Sequence, residues 1–245
     1  MIPWHVAAAR LGQGDLHPGG AEATSTLLGW LQELPEGPVL EIGPGLGLST
    51  LRLLERGRAV EAIEPNSELA RLYRQRTGVQ ARPLRAEELG LMHEGRYAAV
   101  LAESVLYGTD LPLVLRAIAG ALQPGGGLLF SEAVWCEGTS AAEAGRLNTE
   151  SDRRFGIPMA SAEPWGWGDW RRMIGEAGLE LVREERLGEG SPGGPTREGG
   201  WAGAVRDPAA ALGMARLRWR QRGFERGEAR VESWIGMARR RSRPE

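Results

Sequence analysis

The chain has 245 residues, enough for one large α/β domain with a well-buried core. Its formal net charge of −2 exerts no global pull toward nucleic acid or an acidic membrane. Its apolar and charged fractions, 42% and 25%, are those of a globular protein and not of a disordered one. One cysteine, Cys136, excludes an internal disulfide and any cysteine-built zinc or iron–sulfur cage, and three scattered histidines (His5, His17 and His93) argue against a metal centre. All thirty basic residues are arginine, which excludes Schiff-base and lysine general-base chemistry. No run of about 18 apolar residues is present to span a bilayer, and MIPWHVAAARLG lacks the layout of a secretory signal. Cytoplasmic residence is the default expectation.

In chain order, Glu22–Leu34 has the spacing of an amphipathic helix. Val39–Ile42, Ala59–Ile63, Ala98–Ala102 and Gly127–Ser131 are short apolar runs bounded by Gly, Pro or acidic residues, the pattern of buried parallel strands. Helical spacing lies between them, at Ser49–Glu55, Ser67–Arg76 and Leu111–Leu122, the last ending at a Pro124-Gly125-Gly126 reversal. Val134–Pro164 lacks strand periodicity and is expected to be an insertion over the sheet. Trp167–Ala177 is predicted as a helix with Gly168 or Asp169 near its N-cap, and Leu179–Glu184 as a strand. Gly188–Gly200 has the composition of a mobile loop, Pro208–Arg226 that of an arginine-studded helix, and Val231–Arg239 that of a closing strand. Alternating strand and helix predicts an α/β fold, a doubly wound three-layer sandwich that binds ligands where the strand order reverses.

The chemistry is concentrated in Val39–Thr50 (VLEIGPGLGLST). Gly43, Gly45 and Gly47 follow a strand and precede a helix, so backbone can approach a ligand closely beside free helix N–H groups. A dinucleotide site wants G-x-G-x-x-G, and the third glycine would then fall at Leu48. The pattern here is E-x-G-x-G-x-G, led by Glu41, which suits a ligand without a pyrophosphate. Glu64, at the end of the next strand in AIEP, stands where a carboxylate accepts both ribose hydroxyls.

The order of segments resembles the seven-stranded class I S-adenosylmethionine-dependent methyltransferases over about Leu16 to Val182. VLEIGPGLG is similar to their first motif, AIEPN to the second and RPLRAEELGL to the third. AAVLAESVLY is similar to the fourth, and LQPGGGLLFSEA to the segment entering the fifth strand. LHPGGAEATSTLLGWL and FGIP…WRRMIGEAGLELV resemble the small-molecule branch, which includes the ubiquinone/menaquinone and sarcosine-type enzymes. The resemblance implies a mostly parallel seven-stranded sheet whose last strand is antiparallel and inserts between strands five and six. It also implies a single domain: an N-terminal helical cap (1–37), a cofactor-binding core (38–133), an insertion over the acceptor site (134–166) and a part completing the sheet (167–245).

S-adenosylmethionine is the implied cofactor, with no metal. Carried over by residue, Glu41 and Gly43–Gly47 face its methionine portion, Glu64 with Pro65 the ribose, and Ala86 with Glu87 the adenine edge. Glu103 lies beside the ammonium or the acceptor. One departure stands out, because the family commonly has an acidic acceptor just before the Ala86-Glu87 pair, and here stands Arg85, a donor only. The implied activity is methyl transfer to an O, N or C atom of a small molecule, without nucleic acid as partner. Candidate bases are His17, Glu103 and Tyr107, with Glu132 also at the right sheet edge; His17 has a competing role as a hydrogen-bonder at the helix entrance, Tyr107 as core and Glu132 as a cap.

Trp135, Trp165, Trp167 and Trp170 could form a cage for a cationic amine, although packing the insertion onto the sheet is the larger expectation. The single cysteine disfavours arsenite methylation, and the absence of an Asp-Asn pair after the fifth strand disfavours catechol-type transfer. A non-catalytic binder of the same cofactor and a nicotinamide oxidoreductase are the alternatives, the latter opposed by Leu48.

Overall fold

The structure, a computed structural model, describes residues 3–91, 94–187 and 230–241. The predicted helix Pro208–Arg226 and loop Gly188–Gly200 lie outside the described residues.

The apolar runs form strands as expected: β1 (Val39–Ile42), β2 (Val60–Ile63), β3 (Ala81–Arg82), β4 (Tyr97–Glu103), β5 (Leu122–Trp135), β6 (Leu179–Arg186) and β7 (Val231–Arg240). They make one seven-stranded sheet in the order β3-β2-β1-β4-β5-β7-β6. The first five pair in parallel, and β7 runs antiparallel to both β5 and β6. The sheet is covered on both faces, so alternate residues serve two cores. Val100, Ala102, Leu128 and Phe130 face a cluster with Val114, Ile118, Trp170 and Ile174. Ala99, Leu101 and Leu129 face another with Leu27, Leu28 and Leu53. Each fully buried side chain of this size contributes about 1.5–3 kcal/mol.

The helices are α1 (Trp4–Arg10), α2 (Gly20–Trp30), α3 (Leu48–Glu55), α4 (Ser67–Thr77), α5 (Leu111–Ala121), α6 (Ala141–Phe155) and α7 (Trp167–Glu176). Their starts follow capping chemistry. The Asn66 side chain accepts from the Glu68 and Leu69 N–H groups at 3.0 and 3.1 Å, and Asp110 accepts from Leu113 N–H at 3.1 Å. Such a cap stabilises by about 1 kcal/mol. Helix α7 begins after Gly166, two residues before the expected cap at Gly168; Asp169 closes it by accepting from the Gly166 N–H at 3.3 Å.

Three features differ from the sequence reading. Pro124-Gly125-Gly126 does not separate helix from strand. Leu122 already pairs with Tyr97, and regular pairing resumes at Gly127 opposite Ala99, so the three residues, with Gln123, form a bulge inside β5. A side chain at Gly126 would meet the Tyr97 and Ala98 carbonyl oxygens at 2.9 Å, which explains why glycine stands there. The stretch read as an insertion from Val134 begins inside β5 and contains α6, a 15-residue helix. Helix α1 has only seven residues, and its burial is tertiary in origin.

Candidate functional site

The chain crosses from β1 to β2 and β3 on one side and returns to β4 on the other, so the order reverses between β1 and β4. A cleft of about 450 Å³ opens there, at the C-terminal ends of the strands. It brings together Glu41, Gly43, Gly45, Glu64, Pro65, Ala86, Glu87, Glu103, Tyr107 and His17, all singled out in the sequence. Gly47 and Glu132 do not line it.

The glycine turn shows why each position is glycine. Gly43, Gly45 and Gly47 have φ of +63°, +53° and +75°, the left-handed region. A Cβ at Gly47 would lie 2.4 Å from Thr77 Cγ2 and 2.7 Å from the Tyr73 ring, whereas one at Gly45 would meet nothing within 4 Å. Gly47 is therefore needed to pack α3 against α4, and Gly45 to keep backbone open toward the cleft.

The carboxylates are buried and differently held. Glu64, 5% exposed, ends β2 and accepts from the Asn66 N–H at 2.8 Å. Burial pushes its carboxyl up to about 7, and the Asn66 bond only partly offsets this. Glu41, 4% exposed, takes the Thr50 hydroxyl proton; Thr50 in turn lies 3.1 Å from the Tyr73 hydroxyl. Burial raises Glu41 to about 8, the Thr50 bond opposing and the Glu103 charge adding.

Glu103 is the hub of a network that sequence reasoning missed. Thr24 of α2 donates to its Oε1 at 2.7 Å, and Ser49 of α3 donates to its Oε2 at 2.5 Å. His17 Nε2 stands 3.3 Å from the same Oε1 and 3.0 Å from Thr24 Oγ1, while its Nδ1 lies 3.2 Å from the Pro18 carbonyl. Both imidazole nitrogens thus face protein partners, so His17 orients Glu103 and is poorly placed to take a proton from a ligand. Tyr107 is held above the ordinary phenol value by burial, with the Glu132 charge adding, and is a phenol donor rather than a base.

Glu132 is fully buried and caps the turn after β4, not β5 itself: its Oε1 accepts from the Val105 and Leu106 N–H groups at 2.8 and 2.7 Å. Burial raises it to about 8 against those bonds. The same turn holds Ser104 at φ +57°, an unusual value for a residue with a side chain, fixed by its N–H donating to the Ser131 carbonyl at 2.7 Å.

The segment before α2 forms a wall of the cleft, through Trp4, His5, Gln13 and Leu16 among others. Two arginine forks tie it down. Arg10 binds Glu68 of α4 at 2.6 and 3.0 Å, and Arg52 of α3 binds Asp15 at 2.7 and 2.8 Å. Neither pairing has a sequence signature, because the partners are distant in the chain. The Asp15 side chain is 1% exposed and that of Arg52 is 25%, so this pair is more than a surface bridge. Asp15→Ala is expected to lower stability by about 2 kcal/mol, several degrees in thermal midpoint by calorimetry. An unchanged midpoint would mean the fork does not hold the segment.

The aromatic cage is not formed. Trp167 stacks on Trp234 at 4.5 Å, and Trp167 and Trp170 pack on Phe130 in the core behind the sheet. Trp135 is fully buried and donates to the Ser161 carbonyl at 2.9 Å. Among the described residues, the tryptophan that reaches the cleft is Trp4.

The residues present fit S-adenosylmethionine. Open space lies where a Cβ at Gly45 would stand, a buried carboxylate ends β2, and Ala86 closes the cleft beyond it. Beside Ala86, Glu87 Oε1 already accepts from the Asp110 N–H at 3.2 Å, and Arg85 lines the cleft as a donor. Among the described residues, no helix is long and apolar enough to cross a membrane.

Residues 40–130 match the family model described as "Methyltransferase domain". Two curated relatives, both ribosomal RNA small subunit methyltransferase A, match in part. That of Cupriavidus metallidurans is 30% identical over 46% of this chain and 42% of its own length. That of Anaeromyxobacter dehalogenans is 45% identical over 23% and 20%. The match thus spans less than half the length of either relative.

Among solved structures, geranyl diphosphate C-methyltransferase from Streptomyces coelicolor, in complex with S-adenosyl-L-homocysteine, superposes with a TM-score of 0.62 at 15% identity, over 89% of this chain and 79% of that one. Phosphoethanolamine N-methyltransferase 2 from Haemonchus contortus, in complex with S-adenosyl-L-methionine, gives 0.67 at 14%, over 98% and 57%. The [4+2]-cyclase SpnF gives 0.63 at 18%, over 89% and 80%. Residues 40–130 are thus similar to a methyltransferase domain, and the strand order β3-β2-β1-β4-β5-β7-β6 with antiparallel β7 is the seven-stranded class I methyltransferase fold.

Proposed function

We propose that this chain transfers the methyl group of S-adenosylmethionine to an O, N or C atom of a small molecule bound beside Glu103. The observation that carries this reading is the single cleft in which Glu41, Gly45, Glu64 and Ala86 adjoin a second set of walls from Trp4, Leu16, Tyr107 and Ile157. The first set suits the donor and the second leaves room for an acceptor. Bound there, the cofactor supplies an activated methyl on a sulfonium, so the protein's work is alignment and exclusion of water. The Gly43–Gly47 backbone and Glu41 hold the methionine portion. Glu64 with Pro65 holds the ribose, and Ala86 with Glu87 the adenine edge. Glu103, oriented by His17, Thr24 and Ser49, faces the reacting end, and Tyr107 offers a hydroxyl donor nearby.

Isothermal titration with S-adenosylhomocysteine tests the donor half, and the absence of a binding isotherm would overturn it. The names of the two curated relatives favour a second reading, transfer to ribosomal RNA. The net charge of −2 opposes it. Radiolabel transfer to purified small-subunit RNA decides between them, with no incorporation expected.

A further inference from the structure

Beyond the cofactor side, the cleft has an apolar wall with a definite composition. Trp4, Leu16 and Ile157 belong to one cluster with Phe155 of α6, and Pro158 and Tyr107 extend it. The ring of His5 meets Trp4 edge-on at 6.4 Å, and burial lowers its tendency to protonate, so at neutral pH it is an uncharged imidazole.

The carboxylate on this side, Glu103, keeps an open acceptor site. Glu103 Oε1 is engaged by Thr24 and His17, but Oε2 receives only the Ser49 hydroxyl and keeps a free lone pair. The arginine among the described lining residues, Arg85, adjoins Ala86 at the opposite, adenine side.

We propose that the acceptor is a small amine with an apolar body, its nitrogen donating to Glu103 and its body lying against Trp4, Leu16 and Ile157. This rests on the methyl-transfer reading and names the acceptor class for the same site. An organic phosphate or diphosphate would bring negative charge beside the Glu103 carboxylate, and the arginine among the described lining residues, Arg85, adjoins Ala86 instead. An alcohol satisfies the same acceptor but fails in chemistry: its hydroxyl needs a strong base, His17 has both nitrogens engaged, and Tyr107 is held in its phenol form. An ammonium gives up its proton far more readily, and the Glu103 carboxylate is positioned to receive it. The Trp4 face adds cation–π attraction while the nitrogen is still charged.

The test is titration calorimetry of the whole chain, with and without saturating S-adenosylhomocysteine, using 2-phenylethylamine, 2-phenylethanol and phenyl phosphate as probes. The amine is expected to bind at about 1 mM or tighter, with the alcohol at least about tenfold weaker and the phosphate weaker still. Glu103→Gln should cost the amine about tenfold and leave the alcohol nearly unaffected, and Trp4→Leu about threefold to tenfold. Equal binding of amine and alcohol, preference for the phosphate, or no amine binding in either form would overturn the proposal. Failure of S-adenosylhomocysteine alone to bind would instead overturn the donor assignment, while the amine titration on the free chain still reports on this subsite.

Discussion

Glu64→Ala is expected to weaken S-adenosylhomocysteine binding by about 100-fold, or roughly 3 kcal/mol, by removing two charge-assisted bonds to the ribose hydroxyls. The carboxylate is preset for that role: its backbone bond to Asn66 fixes one oxygen, and 5% exposure keeps water from competing. The same burial makes binding depend on pH. With a free-protein value of about 7, Glu64 is largely protonated at pH 6 and largely ionised at pH 8. If the ionised form is the binding form, affinity rises about tenfold between those values. Glu64→Gln keeps an acceptor and loses this titration, so its isotherms should be weaker and vary less with pH than those of the wild type, Glu41 supplying the remainder. A wild-type affinity unchanged from pH 6 to 8 would show that Glu64 does not contact the ligand as a carboxylate.

For stability the sign is opposite. Glu41, Glu64 and Glu132 all titrate higher folded than unfolded, so the folded state binds more protons. Their stabilising contribution is complete below the usual carboxylate value and is lost as pH rises through 7 to 8. The unliganded chain should melt higher at pH 6 than at pH 8.5 by differential scanning calorimetry. A flat or rising midpoint would contradict the buried placement of these groups.

Gly47→Ala is expected to destabilise the fold by about 2–5 kcal/mol, and Gly45→Ala by only about 1 kcal/mol, although they are alternate glycines of one turn. Both carry positive φ, so both pay backbone strain. At Gly47 the new methyl also runs into Tyr73 and Thr77 of α4, side chains already committed: Tyr73 is fully buried and stands 3.1 Å from the Thr50 hydroxyl. At Gly45 the methyl projects into open space, the space assigned to the methionine end of the cofactor. Denaturant melts and ligand titrations should therefore separate the two, Gly47→Ala failing chiefly in stability and Gly45→Ala chiefly in binding. Equal loss of stability would refute the division of labour.

Four of the five parallel strands were legible in the sequence because burial leaves each a short, mainly apolar run between breakers, interrupted by Glu41 in β1 and Glu61 in β2. The closing strand was legible from Val231 onward, and its antiparallel insertion followed from the resemblance to known folds. β3 was not legible: two residues, Ala81 and Arg82, carry no period. Nor was α1, whose seven residues owe their burial to Leu46, Leu69 and Phe155, all distant in sequence.

The wall of the cleft built on the glycine turn was readable because close backbone approach requires particular residues at a strand-to-helix turn. The wall built by the N-terminal segment was not. Trp4, Gln13 and Asp15 acquire their meaning only when the N-terminal segment folds back onto α3 and α4, and Thr24 and Ser49 only when Glu103 arrives between them. The tryptophans Trp135, Trp167 and Trp170 follow the larger expectation, packing in the core and not forming a cage.

The placement of β7 has a consequence for how the chain is made. In the finished sheet β6 pairs with β7 and has no contact in register with β5, so the last strand in sequence is the wedge that joins the parallel half to β6. During synthesis, β5 and β6 emerge from the ribosome with open hydrogen-bonding edges, and both must wait until Val231 and beyond have been added. Meanwhile the Phe130 ring, against which Trp167 and Trp170 can already pack, lacks the Gly236 backbone it closes over. Parallel pairing of β1 through β5 can proceed in order of synthesis, but sealing of the sheet cannot. The nascent protein therefore passes through a stage with a nearly complete cleft and an adhesive, unsealed flank. Truncation or delay ahead of Val231 would leave that flank free to pair with a neighbouring chain.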